Sequence, residues 1–296
     1  MLAIREAVTD ADHEQLRRVR MIILPHERAL TVEQMRASAR PDQVQVLAER
    51  DGEVVGAGYA GSSDLGGAAT VVPRVLPGAR RQGIGTAILR ELVAHATSLR
   101  PDFLVAHADD AGSKAFAEHF GFVEVDRQVE QVRAIGAEPW PATPEGYEIV
   151  TVAARPELWD TAYDRIGVQA FHDMAVISPL DVTREEWHRD WIGDPAAMYL
   201  AVADDEVIGM AGLIDDADEP HRAENALTVV RRDWRGKGVA ATLKRMTLAL
   251  AAERGLREVY TWTQKGNADM RRLNARLGYV TRLQSFTMRA DLPVAV

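Results

Sequence analysis

The chain contains no cysteine, which excludes disulfides, thiolate metal sites and a cysteine nucleophile. It has no basic surplus either: 35 Lys and Arg stand against 44 Asp and Glu, a formal charge of -9. A nucleic-acid partner is therefore not expected, because such proteins present a broad basic face. No apolar run approaches the length of a membrane span, and the opening MLAIREAVTDADHEQLRR lacks a basic-then-apolar signal pattern. The expectation is a cytoplasmic protein with no membrane partner and no metal; the sequence sets no oligomeric state. What is present, 296 residues of which 47% are hydrophobic, suffices for two ordinary domains with cores of their own.

The two halves repeat each other. LAERDGEVVGAGYAG (Leu47 to Gly61) parallels LAVADDEVIGMAGLI (Leu200 to Ile214), each an apolar strand, an acidic turn and a second strand. The offset is 153 from Glu53 to Glu206, 155 from Arg80 to Arg235 and 157 from Gly121 to Gly278. So small a drift over three blocks means two copies of one fold. AIGAEPWPATPEGYEI, with three prolines and two glycines, separates them. The expected division is 1–133, a linker at 134–146, and 147–296. Each copy reads as strand, one or two helices, hairpin, strand, long helix, strand, helix, strand, strand. The long helices keep Ile84, Ile88, Leu92 and Ala96, and Val239, Leu243, Met246 and Leu250, on apolar stripes at helical spacing, which are core.

Where each long helix begins, the sequence places Arg80-x-x-Gly83-x-Gly85 or Arg235-x-x-Gly238-x-Ala240. A helix N-terminus already carries positive partial charge, so Arg235 and Lys237 are unfavourable there unless an anion joins them. Small residues, exposed N–H groups and basic side chains together suit a pyrophosphate. A Walker loop is not supplied by either copy. A loose dinucleotide fingerprint, Gly236-x-Gly238-x-x-Ala241, follows at least three strands instead of opening a βαβ unit, and Glu258 lies before its strand, which argues against a nicotinamide enzyme.

The motifs Val75, Pro77, Arg80, Gly83, Gly85 and Asn267, Met270, Asn274, Leu277, Gly278, Tyr279, in this order around a hairpin and a helix, resemble the GNAT superfamily of acyl-CoA N-acyltransferases, present twice. The resemblance implies an α/β fold of two tandem domains, each a mixed, mostly antiparallel splayed sheet flanked by helices. It also implies acetyl-CoA as cosubstrate. In the second copy the main chain of Val230 would meet the pantetheine and thioester, Arg235, Gly236, Lys237, Gly238, Val239 and Ala240 the pyrophosphate, and Asn267 would lie beside the cofactor. In the first copy Val75, Arg80, Arg81, Gln82, Gly83, Ile84 and Gly85 would do the same.

Amide formation from a thioester needs a base for the amine, donors for the oxyanion and a proton for the thiolate. On a regular strand Glu224, Ala226, Thr228 and Val230 would share one face. Glu224 stands eleven residues before Arg235, where family members that use a carboxylate base often carry it; eleven before Arg80 is Ala69. The family's acid, often a tyrosine four residues before the LGY glycine, is replaced by Asn274 and, in the first copy, Ala117. Asn274 could donate a hydrogen bond to the sulfur. Asn267, which also reads as a helix N-cap, has Asp110 as its counterpart. The second copy is thus the expected catalytic one and the first degenerate.

His172, Asp173, Trp187 and Trp191 lie in the segment that often lines the acceptor site in this superfamily, although a Trp pair at i and i+4 is more often a helix's core face than a substrate platform. The acidic run containing Asp215, Asp216 and Asp218 would draw a cationic small-molecule amine. Without cysteine, direct transfer in a ternary complex is the economical mechanism. A mycothiol-synthase-like enzyme is a specific variant of this reading, and a non-catalytic acyl-CoA sensor is the alternative.

Overall fold

The structure is a computed structural model and describes residues 1–25, 29–142, 144–174, 182–216 and 219–296. It divides into two compact units, Met1–Arg127 with Ser285–Val296, and Gln128–Gln284. The first copy runs β1 (Leu2–Glu6), α1 (Asp10–Ile23), α2 (Val32–Ala37), β2 (Val44–Arg50), β3 (Glu53–Ser62), β4 (Ala68–Val75), α3 (Ile84–Ser98), β5 (Phe103–Ala108), α4 (Ala111–His119) and β6 (Val123–Ala134). The second runs β7 (Glu148–Thr151), α5 (Leu158–Ala162), a π-helical turn (Tyr163–Gly167), α6 (Val168–Met174), α7 (Arg184–Asp190), β8 (Met198–Ala203), β9 (Glu206–Asp215), β10 (Arg222–Asn225), β11 (Val229–Val230), α8 (Val239–Glu253), β12 (Glu258–Gln264), α9 (Ala268–Arg276) and β13 (Val280–Asp291). Each copy ends on one long strand where two short ones were expected.

Local chemistry explains the punctuation. The β2–β3 and β8–β9 hairpins turn through Asp51-Gly52 and Asp204-Asp205, all four with positive φ, the backbone that twisted two-residue hairpins require. Thr9, Thr31 and Thr183 close capping boxes at α1, α2 and α7, and Asp110 and Asn267 cap α4 and α9. α3 and α8 have no side-chain cap.

In the first unit β1 to β4 are antiparallel neighbours in sequence order, and β4 meets β5 in parallel only over Ala68 to Thr70. In the second unit β7 to β10 follow the same order, and β10 meets β12 in parallel only from Arg222 to Glu224. Past those residues the paired strands part, leaving a gap in each sheet. The last strands are exchanged: Phe286 to Asp291 of β13 pair with β5 in the first unit, and Gln128 to Ala134 of β6 pair with β12 in the second. The expected cut at 134–146 follows the repeat in the sequence, whereas the compact units cut inside β6 and β13 because of this exchange.

α3 packs Ile84, Ile88, Leu92 and Ala96 on its sheet, as its stripe predicts. α8 does the same with Val239, Leu243 and Leu250. The other face of the second sheet is covered by α5, α6 and α7, where Trp159, Phe171 and Trp187 pack on Leu200, Met210 and Val229. Among the described residues no helix is long and apolar enough to cross a membrane.

Candidate active site

A bulge lies beside the gap in the second sheet. Asn225 pairs with Leu213 and Val229 with Met210, so three residues, Ala226 to Thr228, stand opposite two, Ala211 and Gly212. Alternation is broken there. Ala223 packs with the α8 core and Val230 does too, while Val229 packs on the other side, with the α5–α7 core. Glu224, between Ala223 and Asn225, therefore shares its face with Val229, and the regular strand that would put Glu224 and Val230 on one face does not exist. The same extra residue corrects the counterpart in the first copy. By strand register Ala69 matches Ala223 and Thr70 matches Glu224, since Thr70 pairs with Gly61 and Val105 as Glu224 pairs with Ile214 and Tyr260. No carboxylate stands at that place in the first copy on either count.

Val230 turns its polar backbone groups into the gap. The neighbouring Arg231 N–H bonds Ile208 O on β9, so the N–H and C=O of Val230 point away from β9. Its carbonyl accepts Arg235 Nε at 3.0 Å, which leaves the N–H facing the gap. The first copy repeats the device: Leu76 N–H bonds Val55 O, and Arg80 Nε reaches Val75 O at 3.2 Å.

Below the gap lie the glycine loops. Gly83 and Gly238 stand at φ 77° and 85°, the left-handed region, and nothing lies within 4 Å of where a Cβ would be at either. The amides of Val239 and Ala240, or of Ile84 and Gly85, have no acceptor within their helices, and no side chain caps them. Arg81 adopts φ 63° where the second copy has Gly236 at 77°. An open concavity of N–H groups at a helix start is what a pyrophosphate needs, so these residues fit coenzyme A. Lys237 Nζ lies 4.5 Å from the centroid of the Trp234 ring, and Arg50 holds Gln82 in the first loop.

The other site residues fall out differently. Asp173 accepts hydrogen bonds from Arg232 at 2.6 Å and from Arg235, so it serves the loop. Burial opposes its charge, but those two guanidiniums still hold its carboxyl below the usual range. Trp187 is fully buried, stacked 4.3 Å from Trp159 and donating Nε1–H to Trp159 O, so it is core and no substrate platform. Asp215 pairs with Ala223 and faces Arg254 near α8, opposite to Glu224, and so leaves the expected acceptor rim by strand alternation. Asp216 is buried, accepting the Glu219 N–H within its loop. Asp218 lies outside the described residues. His172 is exposed on α6. Asn267 caps α9 through Met270 N–H at 3.1 Å.

Asn274 is fully buried, and its amide donates to Gln131 Oε1 at 2.9 Å and Thr263 Oγ1 at 3.4 Å. Both donors of its amide are thus engaged by β6 and β12, and neither is left over for the expected hydrogen bond to a sulfur. Trp191, which sequence reasoning placed in the acceptor segment, is partly buried on the α5–α7 core together with Ile192 and Leu227, which it missed, and Gly193 sits against Ile214, the strand partner of Glu224. Sequence reasoning also missed a buried polar group under the bulge. Lys244 Nζ and Tyr279 Oη both donate to Asn225 Oδ1, the latter at 3.4 Å, while Asn225 Nδ2 reaches Gly212 O at 2.9 Å. Burial pulls the Lys244 ammonium down to about 7.

A sheet that opens onto an uncapped helix start with left-handed glycines fits a protein that binds coenzyme A, and the family match makes that protein an acyltransferase. The Acetyltransferase (GNAT) family matches residues 6–122 and 153–279, and the chain belongs to that family, in two tandem copies. GNAT acetyltransferases use acetyl-CoA. The chain is 29% identical over 219 residues to a mycothiol acetyltransferase of Saccharomonospora viridis, covering 70% of this chain and 69% of the relative. It is 30% identical over 250 residues to that of Nocardia farcinica, covering 79% and 78%. A tandem GNAT protein from the clavulanic acid biosynthesis pathway shares the fold over 100% of both chains with a TM-score of 0.77 at 22% identity.

Proposed function

We propose that the second copy transfers the acetyl group of acetyl-CoA directly to the primary amine of a small molecule within a ternary complex. The observation that carries this reading is Glu224, half-buried where β10 and β12 part, on the face turned towards α5–α7. The thioester carbonyl would take the free N–H of Val230, and the pyrophosphate the amides from Gly236 to Ala240. Glu224 takes a proton from the ammonium, directly or through water; the amine nitrogen then bonds the acetyl carbon, sheds its second proton to water, and the carbon–sulfur bond breaks. With the Asn274 amide committed elsewhere, the departing thiolate draws its proton from solvent.

The acceptor lies against Trp191, Ile192 and Leu227, with His172 as a further contact on the same side of the sheet. The first copy, with Thr70 in place of the carboxylate and an equally open loop, would hold coenzyme A without turnover. Similarity to mycothiol acetyltransferases puts their acceptor at the head of the panel of amines to try. The test is release of free thiol from acetyl-CoA with that panel. Amine-dependent release supports the reading, and binding of acetyl-CoA without release from any amine sinks it in favour of a sensor.

A further inference from the structure

The two copies differ under the sheet more than they differ at the loops. Strand and helix registers match Asn225 with Val71, Lys244 with Leu89, Thr247 with Leu92, Thr261 with Ala106 and Tyr279 with Phe122. All five first-copy residues are buried apolar core, and all five second-copy residues are buried and polar. The first copy shows that an apolar set closes the same helix onto the same sheet. A buried lysine with no carboxylate on it among the described residues is a costly alternative. The fold therefore does not explain the polar set.

What the second copy has in addition is the bulge. β4 keeps an unbroken register from Ala69 to Val75 against β3, whereas β10 breaks after Asn225. A bulge leaves ladder groups unpaired, and Asn225 gathers them. Its carbonyl accepts Thr261 Oγ1 at 3.1 Å, and its Nδ2 joins the Ala226 N–H on Gly212 O. The Asn225 amide can hold that orientation only while Oδ1 is satisfied, and Lys244 is its close donor, the Tyr279 hydroxyl being at 3.4 Å. Thr247 ties its hydroxyl to Lys244 O one turn back.

Resting on the acyl-transfer reading above, we propose that Lys244 is a positioning residue: through Asn225 it holds the bulge that sends Glu224 and Val230 to opposite faces of one strand. It touches neither cosubstrate. Its effect is on where the base and the Val230 N–H stand relative to each other.

The experiment compares wild type with Lys244→Leu and with the triple variant Asn225→Val, Lys244→Leu, Tyr279→Phe, which installs three of the five first-lobe residues. The triple variant is expected to melt at or above the wild-type temperature, because it replaces a polar cluster with a set that already packs in this fold. Its kcat should nevertheless fall about a hundredfold, as misplacement of catalytic groups by about an ångström costs. The affinity for acetyl-CoA should change by less than about threefold. Hydrogen exchange in residues 224–230 should rise about tenfold in both variants while α8 stays protected. A well-folded triple variant with wild-type kcat and wild-type exchange overturns the proposal, as does a loss of kcat no larger than the loss of folded protein. If the wild type releases no thiol with any amine, the transferase reading fails; the exchange result then decides alone whether Lys244 holds the bulge.

Discussion

Asp173 and Arg235 are joined side chain to side chain, so a carboxylate from α6 occupies a guanidinium of the phosphate loop. With Arg232 on its other oxygen, Asp173 offsets one of the two charges of this guanidinium pair. Asp173→Asn should tighten acetyl-CoA binding by about three- to fivefold at low ionic strength, since pairs of exposed charges are worth about 1 kcal/mol or less. The gain should vanish near 1 M salt, where screening acts within about 3 Å. Calorimetric titration at both salt levels checks it; looser binding would mean that Asp173 orders Arg235 instead.

Gly238→Glu places a bulky anion in the cradle of the second copy, and Gly238→Ala imposes only the left-handed backbone. The strain alone costs about 1 kcal/mol, so the alanine variant should bind acetyl-CoA within about fivefold of wild type. The glutamate variant should lose the second-copy binding step altogether, and Gly83→Glu should leave that step in place. Titration of all three against wild type reads this out, and equal effects of Gly83→Glu and Gly238→Glu would refute the assignment of turnover to the second copy.

Glu224→Gln keeps the size of the side chain and removes its basicity. A lost general base costs about 10²- to 10⁴-fold. That loss should appear in kcat, with the acetyl-CoA dissociation constant unchanged and the acid limb of the pH–rate profile abolished. Equal losses in turnover and cosubstrate affinity would assign Glu224 a structural role.

Burial lowers Lys244 from its ordinary 10.5 to about 7, so between those values the unfolded chain binds a proton that the folded protein has released. Stability gained from this group therefore rises with pH across that window, by up to about 1.4 kcal/mol per unit. Lys244→Met removes the dependence. The substitution should stabilise the protein most below pH 7, with the advantage shrinking steadily towards pH 9.5 in denaturant titrations. A pH-independent difference would show that Lys244 keeps an ordinary ammonium in the fold.

Both copies, their hairpins and their glycine loops were legible in the sequence because each rests on local chemistry: Asp51-Gly52 and Asp204-Asp205 turn, and Gly83 and Gly238 go left-handed, whatever packs around them. The bulge after Asn225 was not, since it inserts one residue into a stretch, ENALTVV, that reads as a plain strand. That single residue moved Glu224 to the other face and its counterpart from Ala69 to Thr70. Trp187 and Asn274 have side chains that suit either a site or a core, and only tertiary packing decides; both turned inward. Lys244 carried a signal that a comparison of the copies holds, a lysine aligned with Leu89 on an apolar helix face. Asp173 pairs across 59 and 62 residues of chain, a separation at which sequence gives no partner.

The exchange of last strands bears on where the chain can be divided. The segment Gln128 to Ala134 belongs by sequence to the copy without a carboxylate, yet it completes the sheet of the copy that has one. It brings Glu130, which binds Arg222 and Arg282, and Gln131, which holds Asn274. Division of the chain at the boundary of the sequence repeat would therefore strip this strand, with Glu130 and Gln131, from the second sheet. The repeat can be separated as text, but neither half carries a complete sheet of its own: β5 takes Phe286 to Asp291 from the end of the second half just as β12 takes Gln128 to Ala134 from the end of the first.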